Sequence, residues 1–180
     1  MEYYWSRDGD PLMPHHIIPT VKHGGGSLMF WGSLTSRGLG YGCQIYEGTM
    51  SKDVYIDILQ TTLGDTLEHY RYAPGEFIFQ HDNDPKHTSE AVKDYLNERG
   101  IDVLSWPAQS PDLNPIEHVW EYLKTKTGSR EPRPTSCFNL WDIVSEEWDL
   151  IPNSFIENLY QSMPKRVKAV LKAKGGYTRY

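Results

Sequence analysis

Two acidic residues stand where a sheet-based enzyme would place its chemistry. Asp82 follows the apolar run Phe77-Ile78-Phe79-Gln80-His81 and opens Asp82-Asn83-Asp84-Pro85-Lys86-His87. Glu117 lies in Ser110-Pro111-Asp112-Leu113-Asn114-Pro115-Ile116-Glu117-His118. Carboxylates gathered in one crevice suit hard divalent cations such as Mg²⁺, which take oxygen ligands and keep several waters. Two such ions about 4 Å apart activate a water and stabilise a leaving oxygen at phosphorus. Each acid also has an ordinary structural reading. Asp82-Asn83-Asp84-Pro85 fits an Asx turn entering a helix. Asn114 with Glu117 three residues on fits a capping box, worth about 1 kcal/mol without any catalysis. Taken singly, the structural readings win; it is the convergence of both acids on one strand end that points to a site.

The elements that must bring them together can be read from periodicity. Residues 27–35 and 41–46 are β-rich and form a hairpin across Arg37-Gly38-Leu39-Gly40. Val54, Ile58, Leu59, Thr62 and Leu63 recur at helical spacing from Ser51, a fitting N-cap, to about Tyr70. Short strands are predicted at 77–81 and 101–105, with a helix between them over 89–99, capped by Thr88 and stopped by Gly100. A helix over 115–126, packed through Ile116, Val119, Trp120 and Leu123, carries Glu117 on its flank. Two more helices occupy about 137–149 and 154–173. The order gives an α/β fold with a mixed sheet, in which the β-α-β crossover is parallel and right-handed. In such sheets chemistry sits beyond the strand ends. By period two, Ile78, Gln80 and Asp82 share one strand face, which puts Asp82 at the tip.

Three segments together resemble a known family. They are Lys22-His23-Gly24-Gly25-Gly26-Ser27-Leu28-Met29-Phe30-Trp31-Gly32, Gln80-His81-Asp82-Asn83-Asp84-Pro85-Lys86-His87-Thr88, and Trp106-Pro107-Ala108-Gln109-Ser110-Pro111-Asp112-Leu113-Asn114-Pro115-Ile116-Glu117-His118-Val119-Trp120. In order and spacing they are similar to the catalytic core of DDE transposases of the mariner superfamily, in its Tc-one-like branch. Thirty-four residues separate Asp82 from Glu117, as in that branch. Ala173-Lys174-Gly175-Gly176-Tyr177-Thr178-Arg179-Tyr180 resembles the branch's C-terminus. The resemblance implies a ribonuclease H-like fold and metal-dependent DNA cleavage and strand transfer, that is, DNA transposition and integration. It makes Asp82 the second catalytic acid and Glu117 the third, both as metal ligands. Asn83, His87, Asp112, Asn114 and His118 match the pattern around the acids as turn, cap and supporting residues. The implied cofactor is Mg²⁺ or Mn²⁺, two ions in an intact family site. The implied partners are transposon-end and target DNA, with a homodimer as the assembly allowed and the nucleus as the compartment.

One departure shapes the expectation. The family's first acid sits on a central strand, and that strand is not found in the 180 residues. Tyr3-Tyr4-Trp5 and Gly9-Asp10-Pro11-Leu12 resemble the loop downstream of it, so Asp8 and Asp10 are poor substitutes for the missing acid. The expected organisation is a lead-in over 1–26, a truncated DDE core over 27–127, and C-terminal helices with a basic tail over 128–180. The missing strand should leave the hairpin poorly anchored to the parallel pair. With two acids, at most one weakly bound ion is expected, and impaired catalysis with it.

Composition bounds the rivals. The chain is ordinary for a soluble globular protein, with 38% hydrophobic and 23% charged residues, and its net charge of −6 argues against a polybasic binder. Two cysteines allow neither a disulfide scaffold nor a four-cysteine zinc site. No apolar run is long enough for a membrane span, and no secretory signal is expected at the N-terminus. The last eighteen residues carry six cations and no acid, which leaves −12 on residues 1–162. That tail reads as a solvated helix end, and alternatively as a DNA-phosphate contact or nuclear import signal through Lys165, Arg166, Lys168, Lys172 and Lys174. A zinc site from His81, His87, His118 and Asp82 is a minor rival, because the His spacing is unusual for zinc. The stronger alternative is a non-catalytic DNA-binding or protein-interaction module, with Trp31, Trp106, Trp120, Trp141 and Trp148 either stacking on bases or packing a core.

Overall fold

The aromatic and β-branched residues after Leu28 form a hairpin whose two faces both carry packing residues. β1 (Met29–Thr35) pairs antiparallel with β2 (Gly38–Ile45). The turn is Ser36-Arg37, tighter than predicted, so β2 begins at Gly38 rather than Tyr41. Gly38 takes φ +147°, a backbone conformation open to glycine, and Thr35 Oγ1 closes the turn by accepting from the Arg37 N–H at 3.1 Å. The register shifts between Gly32 and Leu34, where Ser33 faces two residues of β2. The computed structural model describes residues 28–46, 49–176 and 178–179. The lead-in expected over 1–26, with Asp8 and Asp10, lies outside the described residues.

The next helix runs from Lys52 to His69 in three pieces. α1 (Lys52–Ile58) starts at Ser51, whose hydroxyl accepts from the Val54 N–H, as the N-cap expectation required. A π-helical segment (Leu59–Leu63) follows, then α2 (Gly64–His69). The apolar spacing gives no sign of the π segment. Such wide turns are rare and gather near functional sites. α3 (Glu90–Glu98) takes its N-cap conformation at Ser89 instead of Thr88, whose hydroxyl bonds back to the Asp84 carbonyl at 3.2 Å. It ends at Gly100 (φ +66°), with the Gly100 N–H on the Asn97 carbonyl and the Ile101 N–H on the Leu96 carbonyl. That pair of bonds is a Schellman end, which explains why glycine stops this helix.

The strands predicted at 77–81 and 101–105 reduce to one parallel bridge, Phe79 with Val103. Phe79 N–H donates to the Asp102 carbonyl, and Leu104 N–H to the Phe79 carbonyl, both at 2.8 Å. The orientation is the predicted one. The ladder stops there because both bonds fall on Phe79, while Ile78, Val103 and Leu104 stay exposed. The hairpin and this bridge do not join into one sheet among the described residues. The hairpin is nonetheless firmly held, by helices rather than by strands. α4 (Ile116–Gly128), α5 (Cys137–Asp149) and α6 (Asn153–Lys172) supply a core of Val119, Leu123, Trp148, Ile151, Ile156 and Leu159, against which Phe30, Leu34 and Leu39 pack. Trp148 Nε1 donates to the Gly40 carbonyl at 3.0 Å, and an added Cβ at Gly32 would stand 2.5 Å from its ring. The opposite face carries Trp31 into a second core of Tyr55, Leu59, Leu63, Val92 and Leu96. The hairpin is thus sandwiched between two helical layers, and Trp148 serves the core rather than nucleic-acid stacking.

Candidate active site

A cavity of about 440 Å³ opens between β1 and the Phe77–Asp82 segment, and Asn114–Glu117 at the start of α4 closes one end of it. Both predicted acids line this cavity. They also feel each other: the Glu117 carboxyl is raised above its ordinary value, first by partial burial and then by the negative charge of Asp82.

Asp82 is held by the turn that sequence reading offered as its structural alternative. Its Oδ1 accepts from the Asp84 N–H at 3.1 Å, and His87 Nδ1 donates to the same oxygen. Burial alone would raise the Asp82 carboxyl. The Asp84 N–H and the bond and charge of His87 outweigh burial and hold it below the usual carboxylate value. The Asx turn and the site therefore coexist, and the turn orients the acid. The other carboxylate oxygen accepts no hydrogen bond among the described residues. Asn83 ties this loop to the following segment, since its Nδ2 donates to the Trp106 carbonyl at 2.9 Å.

The capping box at Glu117 does not form. Asn114 has the extended backbone of an N-cap and Pro115 the first helical one, but no side chain caps the turn. The Glu117 carboxylate therefore carries no hydrogen bond or ion pair among the described residues and remains available at the cavity mouth.

Beneath Asp82 lies a stack of rings. Tyr55, 1% exposed, places its hydroxyl 2.9 Å from His81 Nδ1, and its ring centroid is 4.1 Å from that of His87. Burial, with the charge of His87 in support and Asp82 opposing, lowers the His81 imidazole to about 4, so it is neutral near pH 7. Burial and the nearby Asp82 charge raise the Tyr55 phenol, so it stays protonated. Gln80 Nε2 and His87 Nε2 are buried beside the same cavity and have no hydrogen-bond partner among the described residues. Sequence reasoning misses Tyr55 because the helical face read from Val54, Ile58, Leu59, Thr62 and Leu63 does not include it.

The remaining predicted residues fall elsewhere. His118 lies near Glu121 and Arg166 and is lowered by burial and by the Arg166 charge. His81 bonds to Tyr55, and among the described residues no three His, Cys, Asp or Glu side chains converge as a ligand set. The zinc arrangement of His81, His87, His118 and Asp82 is therefore not assembled. Lys165, Lys168 and Lys172 follow one helical face of α6, and they are exposed, as is Lys174. Arg166 is not with them. It is 3% exposed, and donates from Nε to Ser162 Oγ at 2.8 Å and from Nη1 to the Asp112 carbonyl at 3.1 Å. Successive residues on a helix are turned by about 100°, which takes Arg166 off the exposed lysine face and makes it an internal clamp and not a surface contact. The Asp112 carboxylate in turn accepts from the Thr178 hydroxyl at 2.9 Å.

Comparison with known proteins gives the family and the fold. The DDE superfamily endonuclease model matches residues 1–136. The chain is 42% identical over 174 residues to the Tc1 transposase of Caenorhabditis elegans, covering 96% of this chain and 61% of that protein. It spans about three fifths of the length of the curated Tc1-like relatives it matches. The Mos1 transposase catalytic domain, solved with raltegravir and Mg, superposes with a TM-score of 0.76 at 24% identity, over 84% of this chain and 77% of that one. A Mos1 paired-end complex with the left transposon end superposes at 0.78, also at 24% identity, over 98% of this chain and 51% of that one. The mixed α/β arrangement is the ribonuclease H-like fold of that catalytic domain.

Proposed function

We propose a function from the premise those matches supply: the chain belongs to the DDE superfamily endonuclease family. It is a catalytic domain of the Tc1/mariner transposase type, related to metal-dependent cleavage of transposon-end DNA and joining to target DNA, with catalysis expected to be impaired in this polypeptide. The observation that carries this reading is the pair Asp82 and Glu117, which face one cavity, with the charge of the first raising the cost of ionising the second. A divalent cation relieves that repulsion, and the donors suit one: both are hard carboxylate oxygens, and neither is consumed by an ion pair with lysine or arginine.

Asp82 and Glu117 would hold Mg²⁺ or Mn²⁺. Such an ion activates a water and stabilises charge on a leaving oxygen at phosphorus. The chain's own groups supply the rest. The Asp84 N–H and His87 keep Asp82 ionised and oriented. The aromatic floor of Tyr55, Phe79 and His81 excludes water from beneath it. Lys165, Lys168 and Lys172 on the exposed side of α6, and Lys174 just beyond its end, offer phosphate contacts. A family site takes two ions; with no third carboxylate beside this pair among the described residues, we expect one hydrated ion here. Action on both ends of an element favours a homodimer, and genomic DNA as substrate favours the nucleus. The same two-acid count favours the second reading, a non-catalytic DNA-binding module.

Mn²⁺ titration separates them. The 180-residue polypeptide should bind Mn²⁺ weakly, lose it in Asp82→Ala and Glu117→Ala, and leave DNA carrying candidate terminal repeats unnicked. Mn²⁺ binding that ignores both substitutions would favour the module. Robust nicking that both substitutions abolish would mean another acid completes the site, with Asp8, Asp10 and Asp84 the ones to substitute next.

A further inference from the structure

We propose that Tyr55 is a positioning residue for the Asp82 carboxylate, acting through His81 and His87; this rests on reading Asp82 as a metal ligand. Tyr55 sits on α1, far in sequence from the acid, and is almost fully buried. It touches both imidazoles in different ways. Its hydroxyl meets His81 Nδ1 at 2.9 Å, and its ring lies under His87 at 4.1 Å between centroids. The His81 and His87 rings stack on each other, 5.7 Å apart and 13° from parallel.

The donors and acceptors follow from chemistry. A buried phenol O–H needs an acceptor, and His81 Nδ1 is the one Tyr55 has. Tyr55 therefore donates, and the His81 proton resides on Nε2. A carboxylate can only accept, so His87 Nδ1 carries a proton and donates it to Asp82 Oδ1. His81 is thus held with its proton on Nε2, and His87 with a proton on Nδ1. His81 immediately precedes Asp82, and His87 grips it from the far side of the turn. Tyr55 fixes the first through its hydroxyl and supports the second through its ring. Without the hydroxyl, His81 is free to exchange tautomers and turn, and the stack that braces His87 loosens.

Tyr55→Phe tests this, because it keeps the ring in the core and removes the hydrogen bond alone. Nitrogen-resolved imidazole NMR should show one Nε2–H tautomer for His81 in the parent chain and a mixture in the variant. Mn²⁺ affinity should fall about three- to tenfold, the worth of one neutral hydrogen bond. An unchanged tautomer, or a changed tautomer with unchanged Mn²⁺ affinity, would overturn the positioning role. If the parent chain takes up no Mn²⁺, the metal-ligand reading fails by itself. Tyr55 is then judged on the His87 Nδ1–H resonance: its loss to solvent exchange in Tyr55→Phe supports the proposal, and its persistence overturns it. Should Tyr55→Phe fail to fold, His81→Asn and His81→Leu decide the matter through Mn²⁺ affinity and the His87 Nδ1–H resonance. Asn keeps an acceptor for the phenol and should preserve them; Leu should not, and equal behaviour of the two overturns the proposal.

Discussion

Replacing Arg166 and replacing its lysine neighbours should have separable effects. Arg166 makes one charge-assisted hydrogen bond within α6, at 2.8 Å to Ser162 Oγ, and one that joins α6 to the turn before α4, at 3.1 Å to the Asp112 carbonyl. Each such bond contributes about 1.5–3 kcal/mol. Removing a buried charge offsets part of the loss, so Arg166→Met should cost about 2–4 kcal/mol net. In a chain of this size that lowers Tm by roughly 5–15 °C. Replacing Lys165, Lys168, Lys172 and Lys174 together by Gln should leave Tm nearly unchanged, because all four are exposed. Their DNA signature is different: each lysine withdrawn from a phosphate lowers the slope of log affinity against log salt by about 0.9. Thermal melts and filter binding across a salt series read the two quantities independently. The reasoning fails if Arg166→Met keeps its Tm and lowers the salt slope, which would put the guanidinium on DNA. It also fails if the four-lysine variant keeps the parent slope. Deleting residues 163–180 is the poorer experiment, because it also removes the Arg166 and Thr178 bonds to Asp112.

Glu117 should give metal binding a distinctive acid limb. Its carboxyl holds its proton to higher pH than usual, so Mn²⁺ affinity should begin to fall on acidification above the ordinary carboxylate range. Titrations at several pH values check this, and Glu117→Gln should bind too weakly to show the limb. His81 gives a stability limb: lowered from 6.5 to about 4, it takes up a proton in the unfolded chain before it does so folded. Stability from this group is present above 6.5 and is lost as pH falls toward 4. The full shift corresponds to about 3 kcal/mol, and solvent screening of a half-buried ring reduces that to about 1–2 kcal/mol. Urea melts across that range should show the decline in the parent chain and less of it in His81→Asn. Finally, Gly32→Ala should destabilise by about 1–3 kcal/mol, since its Cβ would meet the Trp148 ring at 2.5 Å. Trp148 cannot swing away without breaking its bond to Gly40, and a Tm equal to the parent's would show that the ring gives way freely.

What is legible in the sequence is what short stretches of chain determine alone. Ser51 caps its helix, Gly100 ends another, and the apolar spacing after residue 136 gives α5 and α6 nearly to the residue. Asp82 and Glu117 are legible because each occupies a fixed place in a local element, a strand tip and a first helical turn. Strand pairing is not, because whether 77–81 and 101–105 form a ladder depends on neighbours on both sides. Nor is Arg166, which looks like one cation among six until Asp112, 54 residues away, supplies the acceptor. Tyr55 is hidden in the same way, at about half that separation. It is absent from the periodic positions Val54, Ile58, Leu59, Thr62 and Leu63, and its hydroxyl acquires meaning only from His81, 26 residues on. These two long-range contacts divide the candidate site unequally. Asp82 is braced from below by α1, whereas the turn leading to Glu117 is braced from the front by α6 through Asp112. The acids are therefore set by separate parts of the chain, which meet in the cavity and at the Asn83–Trp106 bond. Damage to one brace should misplace one carboxylate and leave the other where it is.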